Sequence, residues 1–500
     1  MSSLDDAAGT LRSGLGARTH RAGWLLDTGL TGLFLPQETP SGRALTRLGL
    51  VALYLFGLLA WTYVLNAGDI PFEFHDWAEV TGHRYAFLRD AVTHGQLPLH
   101  MPGMWALRNV TDRFISIADT NLSPQVLLLR VLDVGDFILA DTLLLYTLGF
   151  LGLLILRTRL KLGLAGFALL WALFFFNGSM SAHLTVGHLN WAAYFLLPFL
   201  VILVLDLLSH HDRWRWAAWY SGWMFLVFLQ GGFHLFVGSL LLVALVAAFH
   251  PPSRRAAALG IAFALLVSAV RILPAVLESG RFDTEFLSGF TTFGELASGL
   301  IELRTLSPSD IISANQLSPL GWWEKDYYLG LGGLAFLIVF GIRIWTHEKD
   351  LAGRVSHLMF PIVLMTTLSI GRFYRVFHLL QIPLLSSERV STRLLAIPLG
   401  LIFVLVLDSF QRSVERWRGH RAAQLLLGTG LLVVAHDLWQ HLKAWRVVNL
   451  AQAFPPRPVD FSLDVVANHP DPVYFATLVG GLGVSMLSLG FLIFQAARRR

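Results

Sequence analysis

Apolar stretches of roughly 17 to 24 residues, the length that carries a helix across about 30 Å of hydrocarbon, recur along the whole of this 500-residue chain. They lie at 45–65, 138–156, 162–177, 190–208, 214–230, 232–250, 256–273, 328–345, 355–371, 394–410, 422–436 and 473–495. A segment that enters lipid must satisfy its own backbone hydrogen bonds, so each is expected to be helical. With 55% hydrophobic and 14% charged residues and a mean hydropathy of +0.59, the chain has more apolar surface than a water-soluble core can hide. The expectation is an all-α, polytopic integral membrane protein with about 12 transmembrane helices and a large helical first extracytoplasmic loop.

An even number of crossings puts both termini on one face, and the basic residues say which. With the N-terminus cytoplasmic, the inside segments hold 22 Lys and Arg in 93 residues and the outside segments 15 in 201. That bias runs in the direction of the positive-inside rule, and it accounts for the basic balance without invoking nucleic acid. The resulting division is a cytoplasmic segment 1–44, a transmembrane domain 45–436 with outside loops 66–137 and 274–327, an outside loop 437–472, and a last span with a basic tail, 473–500. Inside connections are short and outside ones long, so the working face is expected outside. No cleavable signal peptide is expected ahead of the first span. The absence of cysteine excludes disulfides, thiolate metal sites and cysteine nucleophiles.

The first outside loop opens with Asp69, Glu73, His75, Asp76 and Glu79. A partly desolvated carboxylate just beyond the membrane can take a proton from an acceptor hydroxyl. An acidic loop that is simply solvated is the plainer alternative. His183 and His188 flank the turn between the third and fourth spans, and His234 follows Gln230-Gly231-Gly232 in the next outside turn. Such residues pair with carboxylates, contact substrate or ligate a divalent metal, but no His-x-Glu or His-x-x-x-His spacing supports a preformed metal site. No cofactor is expected.

Several short motifs carry a resemblance. After the first span come His75-Asp76-Trp77, then Arg84-Tyr85-Ala86-Phe87-Leu88-Arg89-Asp90, then Gly95-Gln96-Leu97-Pro98, then Leu122-Ser123-Pro124-Gln125 ahead of the second span. Gly187-His188-Leu189-Asn190 with Tyr194 and Pro198, Leu273-Pro274, Tyr328-Leu329-Gly330 and the tract from Leu385 to Arg393 extend it over most of residues 45–410. In this order the chain resembles polytopic glycosyltransferases of the GT-C superfamily, closest to the bacterial YfhO-like branch. The resemblance implies a polyprenyl-phosphate sugar donor in contact with membrane lipids, and an acceptor that is a glycan, lipid or protein. It also implies a bacterial inner membrane as the location, extracytoplasmic transfer with inversion, and a general base at the Asp after the first span. That position falls on Asp76, with Glu73 and Glu79 as rivals.

A donor phosphate needs cationic donors, and Arg389 and Arg393, four apart, are expected to share a helix face at the membrane boundary. Arg372 and Arg375 are weaker versions of the same idea, and His188 is a further candidate for the phosphate. Glu278, Arg281 and Asp283 read as a local ion-pair set at an exposed surface. Trp322 and Trp323 read as an interfacial belt, with stacking of Trp322 on a sugar as the alternative. Two other function classes stay open: a transporter or flippase for lipid or anionic substrates, and a non-catalytic membrane assembly factor on the same fold. Few spans carry ionisable residues away from their ends, which counts against ion-coupled transport.

Overall fold

The computed structural model describes residues 32–37, 39–102, 111–209, 212–278, 286–304, 320–347 and 349–498. Among these the chain is helical, with isolated bridges in place of strands. Helix overlies every one of the twelve apolar stretches, and these helices are labelled in chain order. They are α1 Pro40–Val64, α2 Val134–Leu160, α3 Leu164–Thr185, α4 Leu189–Leu208, α5 Arg213–Leu229, α6 Phe233–Phe249, α7 Arg254–Val267, α8 Gly330–His347, α9 Lys349–Leu368, α10 Ala396–Arg416, α11 Arg421–Ala444 and α12 Pro472–Ala497.

Seven of them, α1 to α4 and α10 to α12, are long and apolar enough to cross a membrane, and the chain is membrane-embedded. An eighth is reached if α7 and Ala269–Leu277, which meet at a 67° bend, count as one span. This is fewer than the twelve full-length crossings expected from the sequence. The shortfall has local causes: Asp212 caps α5 and the Gln230-Gly231-Gly232 turn ends it after 17 residues, and α6 is also 17 residues long. The loop after α1 is helical in part, with Gly82–Thr93 as its one regular α-helix among the described residues, a π-helical turn Trp77–Thr81 leading into it, and short 3-10 turns elsewhere.

The bundle is graded from centre to rim. In α3 89% of the apolar window is buried, against 17% in α11. The outer helices α1, α11 and α12 expose Leu48, Leu59, Leu426, Leu432, Leu487 and Phe494, an apolar girdle of the kind that faces lipid. Close approach inside depends on small residues: a Cβ at Gly57 of α1 would run into the Tyr146 ring of α2. Tyr146 donates to the Tyr54 carbonyl at 3.2 Å and accepts from Trp171 Nε1 at 3.0 Å, tying three helices together.

The bend after α7 turns Arg271 inward, where it is 1% exposed. Its Nη1 donates to the Ile115 carbonyl, and its Nη2 lies 3.0 to 3.2 Å from the Ile117, Ala118 and Thr120 carbonyls and Thr120 Oγ1. A buried guanidinium thus supplies the donors that an irregular loop end needs. Glu278, at the end of the same bent segment, is fully buried and paired with Arg113, not set on an exposed surface as expected. Arg281 and Asp283 lie outside the described residues.

Candidate functional site

Five connections meet at one end of the bundle. The segment 75–81 and the turn 185–188 are bound through backbone groups: Trp77 Nε1 donates to the Thr185 carbonyl at 2.8 Å, and Thr81 Oγ1 to the Gly187 carbonyl at 2.5 Å. Gly187 has φ +101°, and a Cβ there would sit 2.7 Å from the Trp77 nitrogen and 2.9 Å from the Asp76 carbonyl carbon. Only glycine suits this backbone and this gap. The turn before α6 docks similarly, Gly231 at φ +76° lying against the Asp119 carbonyl.

These contacts bring polar side chains into one chain of partners. His188 Nε2 is 2.9 Å from Asp76 Oδ2, and His188 Nδ1 is 2.8 Å from His183 Nδ1. His183 Nε2 lies 3.8 Å from Glu324 Oε2. Glu324 accepts a two-pronged bond from Arg393, through Nε at 2.9 Å and through Nη2. Arg393 Nη1 meets His234 Nε2 at 2.6 Å, and His234 Nδ1 meets Glu388 Oε2 at 2.6 Å. His75, at φ +42°, lies 3.8 Å from Asp76 and packs its ring edge-on against Trp323 at 4.4 Å.

The donors in this chain can be assigned. A guanidinium only donates, so His234 Nε2 is an acceptor, and the ring is neutral with its proton on Nδ1, given to Glu388. If His183 and His188 are also neutral, the Nε2–H of His188 goes to Asp76 and its Nδ1 accepts from His183. Burial pushes the Glu324 carboxyl up, but the Arg393 guanidinium outweighs it and holds it well below the usual carboxylate range. Glu388 is likewise lowered: burial raises it, and His234 and Arg393 more than compensate.

Beside this chain lies a cleft whose walls include Asp76, His188, His234, Arg393, Arg84 and Tyr85. Arg84 is paired with Asp119 at 3.0 Å on the same wall. The site residues named from sequence divide accordingly. Asp76, His188, His234 and Arg393 line the cleft; His75 and His183 touch it through their partners. Glu73 is exposed, and Glu79 is paired with Arg457, so neither rival contributes to the walls.

Arg389 does not share a helix face with Arg393. Glu388 and Val390 have extended backbone, Val390 bridging Ser288, and Arg393 sits in a 3-10 turn after them. Arg372 and Arg375 lie exposed on the short helix Gly371–Leu379. Trp322 is buried under Arg304, with Trp323 the indole nearer the cleft. Sequence reasoning missed Glu324 and Glu388, the two acids that hold Arg393 and His234. Their signal was an acid near the outside end of a span; Glu324 faces Arg393 of another loop, and Glu388 faces His234.

A second buried relay runs from Asp326 Oδ2 to His441 Nε2 at 2.9 Å and from His441 Nδ1 to Ser181 Oγ at 3.1 Å. All three are fully buried and absent from the cleft walls, and Ser181 is also bonded to the Asn177 carbonyl at 3.2 Å. This relay fastens α11 to α3 and gives no open nucleophile. Comparison with protein families, with curated proteins and with solved structures found no match for this chain.

Proposed function

We propose that this protein is an inverting glycosyltransferase of the GT-C type, moving a sugar from a polyprenyl-phosphate donor to an acceptor hydroxyl outside the membrane. The observation that carries the reading is that Asp76, held by His188, lines the same cleft as Arg393. A base and a phosphate ligand are the two groups that displacement at a glycosyl phosphate needs.

In the proposed reaction the acceptor oxygen attacks the anomeric carbon as the bond from that carbon to the phosphate oxygen breaks. The acceptor proton goes to Asp76, and the lipid phosphate leaves with the bonding electron pair. Glu324 and His234 take three of the five N–H donors of Arg393, leaving two for phosphate oxygens. His188 keeps the Asp76 carboxylate oriented, and Trp323 beside His75 gives a ring for sugar stacking.

The reading includes twelve crossings with both termini cytoplasmic. Residues that touch at one face of a membrane are separated by an even number of crossings. Asp76 to His188, His188 to Glu324 by way of His183, and Arg393 to His234 are each joined by chain containing an even number of the labelled helices. This supports the alternation, with the shorter helices crossing inside the bundle. Transport is disfavoured because the ionisable chain gathers at one end of the helices.

The test is transfer or hydrolysis by the detergent-solubilised protein with a panel of polyprenyl-phosphate monosaccharides and candidate acceptors, comparing wild type with Asp76→Asn. The expected result is donor binding retained and turnover reduced about 10²–10⁴-fold, the usual worth of a positioned base. Equal turnover by both proteins would remove Asp76 as base. No donor consumed with any acceptor would remove the enzyme reading.

A further inference from the structure

Away from the cleft, the stretch around His100 pairs with that around Arg113: Met101 N donates to the Asp112 carbonyl and Phe114 N to the Leu99 carbonyl, both at 2.9 Å. The segment leading into α12 lies against this pair, His100 N donating to Asn468 Oδ1 at 3.1 Å. Three side chains converge there. His469 Nε2 is 2.8 Å from Asp112 Oδ2, the His100 and His469 rings stack with centroids 3.9 Å apart, and a ligand atom of each of the three lies within 4.8 Å of the others.

His100 gives the independent observation. It is 1% exposed, and neither of its ring nitrogens has a hydrogen-bond partner among the described residues. Asp471 Oδ2 is 3.7 Å from Nε2 and accepts from Arg113 Nε, while Asp471 Oδ1 caps α12. An imidazole buried without a partner loses its bonds to water and gains nothing in return.

We propose that His100, Asp112 and His469 bind a divalent transition-metal ion of the zinc type. Two imidazoles and one carboxylate are a ligand set suited to Zn²⁺, with water in the fourth position. Metal–ligand distances of about 2.0–2.2 Å require the three donor atoms to sit about 3.3 Å apart. The ion takes the place of the His469–Asp112 hydrogen bond and engages the unpartnered ring of His100. It joins positions 357 residues apart, Asp112 and His469, and so fastens the first loop to the start of α12. In a chain without cysteine, coordination is the covalent-strength cross-link that remains available on this face.

The site is independent of the glycosyltransferase reading and is tested without any sugar donor. Purified full-length protein in detergent is stripped with EDTA, titrated with ZnCl₂ and CoCl₂, and followed by metal analysis, by cobalt visible absorption and by thermal unfolding. Wild type is expected to retain about one equivalent, show the intense visible bands of a four-coordinate site, and unfold at a higher temperature with zinc than with EDTA. His469→Ala removes an exposed ring, so it is expected to match stripped wild type in unfolding temperature. It should also weaken binding by more than the roughly 10–100-fold that loss of a mere supporting partner costs, and Asp112→Asn should do the same. Absence of binding to wild type overturns the proposal. So does equal binding by both variants, or loss of the ion in His188→Ala instead, which would assign it to the cleft.

Discussion

If the Arg393–Glu324 pair organises the site, a double-substitution cycle with Glu324→Gln and Arg393→Met will be strongly non-additive. Glu324→Gln leaves the buried Arg393 guanidinium with His234 and the Trp191 face, 5.5 Å from its centre, in place of a carboxylate. Arg393→Met leaves Glu324 with His183 at 3.8 Å. Stranding one member of a buried ion pair costs about 3–5 kcal/mol, so independent effects would sum to about 6–10 kcal/mol. In the double variant neither charge remains, and the main residual cost is His234 Nε2 without its donor, about 1–3 kcal/mol. The expected coupling is therefore at least about 3 kcal/mol. The assay is unfolding by SDS titration in mixed micelles, read by tryptophan fluorescence. Single effects that add to within about 0.5 kcal/mol would refute the reasoning, because groups in one network do not behave as independent sites.

Two further outcomes follow from the same geometry. Gly187→Ala forces a Cβ against the Trp77 nitrogen and the Asp76 carbonyl carbon at a φ of +101°; it should cost about 1–3 kcal/mol in the same assay and reduce donor turnover, and an unchanged protein would sink the role given to this turn. For pH, the folded-state carboxyls of Glu324 and Glu388 are lowered relative to the unfolded chain. Their stabilisation is therefore full above the unfolded value of about 4.3 and is lost as pH falls through the folded values. Stability should be flat from about pH 7 to 5 on their account and decline below about 4, a decline that Glu324→Gln makes shallower.

The sequence made the helices legible, because the length and apolar character of a segment are local properties. All the residues of the polar chain come from connections assigned outside, including two that were not singled out. What stayed hidden was the pairing. His234 meets Glu388 across 154 positions and Trp77 meets Thr185 across 108, and neither spacing leaves a local pattern. The expectation for Arg389 failed for a different reason: a spacing of four places residues on one face only where the backbone is helical, and here it is extended. Arg271 could have been noticed, since an arginine within an apolar span needs partners inside the protein; the five acceptors it meets between residues 115 and 120 are supplied by a loop whose shape no local rule specifies.

The charge of the cleft sets the sharpest demand on the phosphate assignment. With neutral imidazoles, Asp76, Glu324 and Glu388 against Arg393 leave the polar chain with two net negative charges. A phosphate that takes the two remaining Arg393 donors therefore meets the repulsion of the Glu324 carboxylate held on the same guanidinium. Removing that charge by Glu324→Gln lowers repulsion and loosens the fork at once. A charge about 6 Å away at an effective dielectric of about 20 is worth about 3 kcal/mol before screening, and half of that is about a tenfold change in affinity. So a variant that is less stable should bind the lipid-phosphate donor about 10-fold more tightly, measured by equilibrium binding of a polyprenyl phosphate to folded protein in detergent. Stability and affinity would then move in opposite directions on one substitution, which a purely structural role for Arg393 does not produce. Equal or weaker binding by folded Glu324→Gln would place the phosphate away from Arg393 and take the leaving-group contact out of the mechanism.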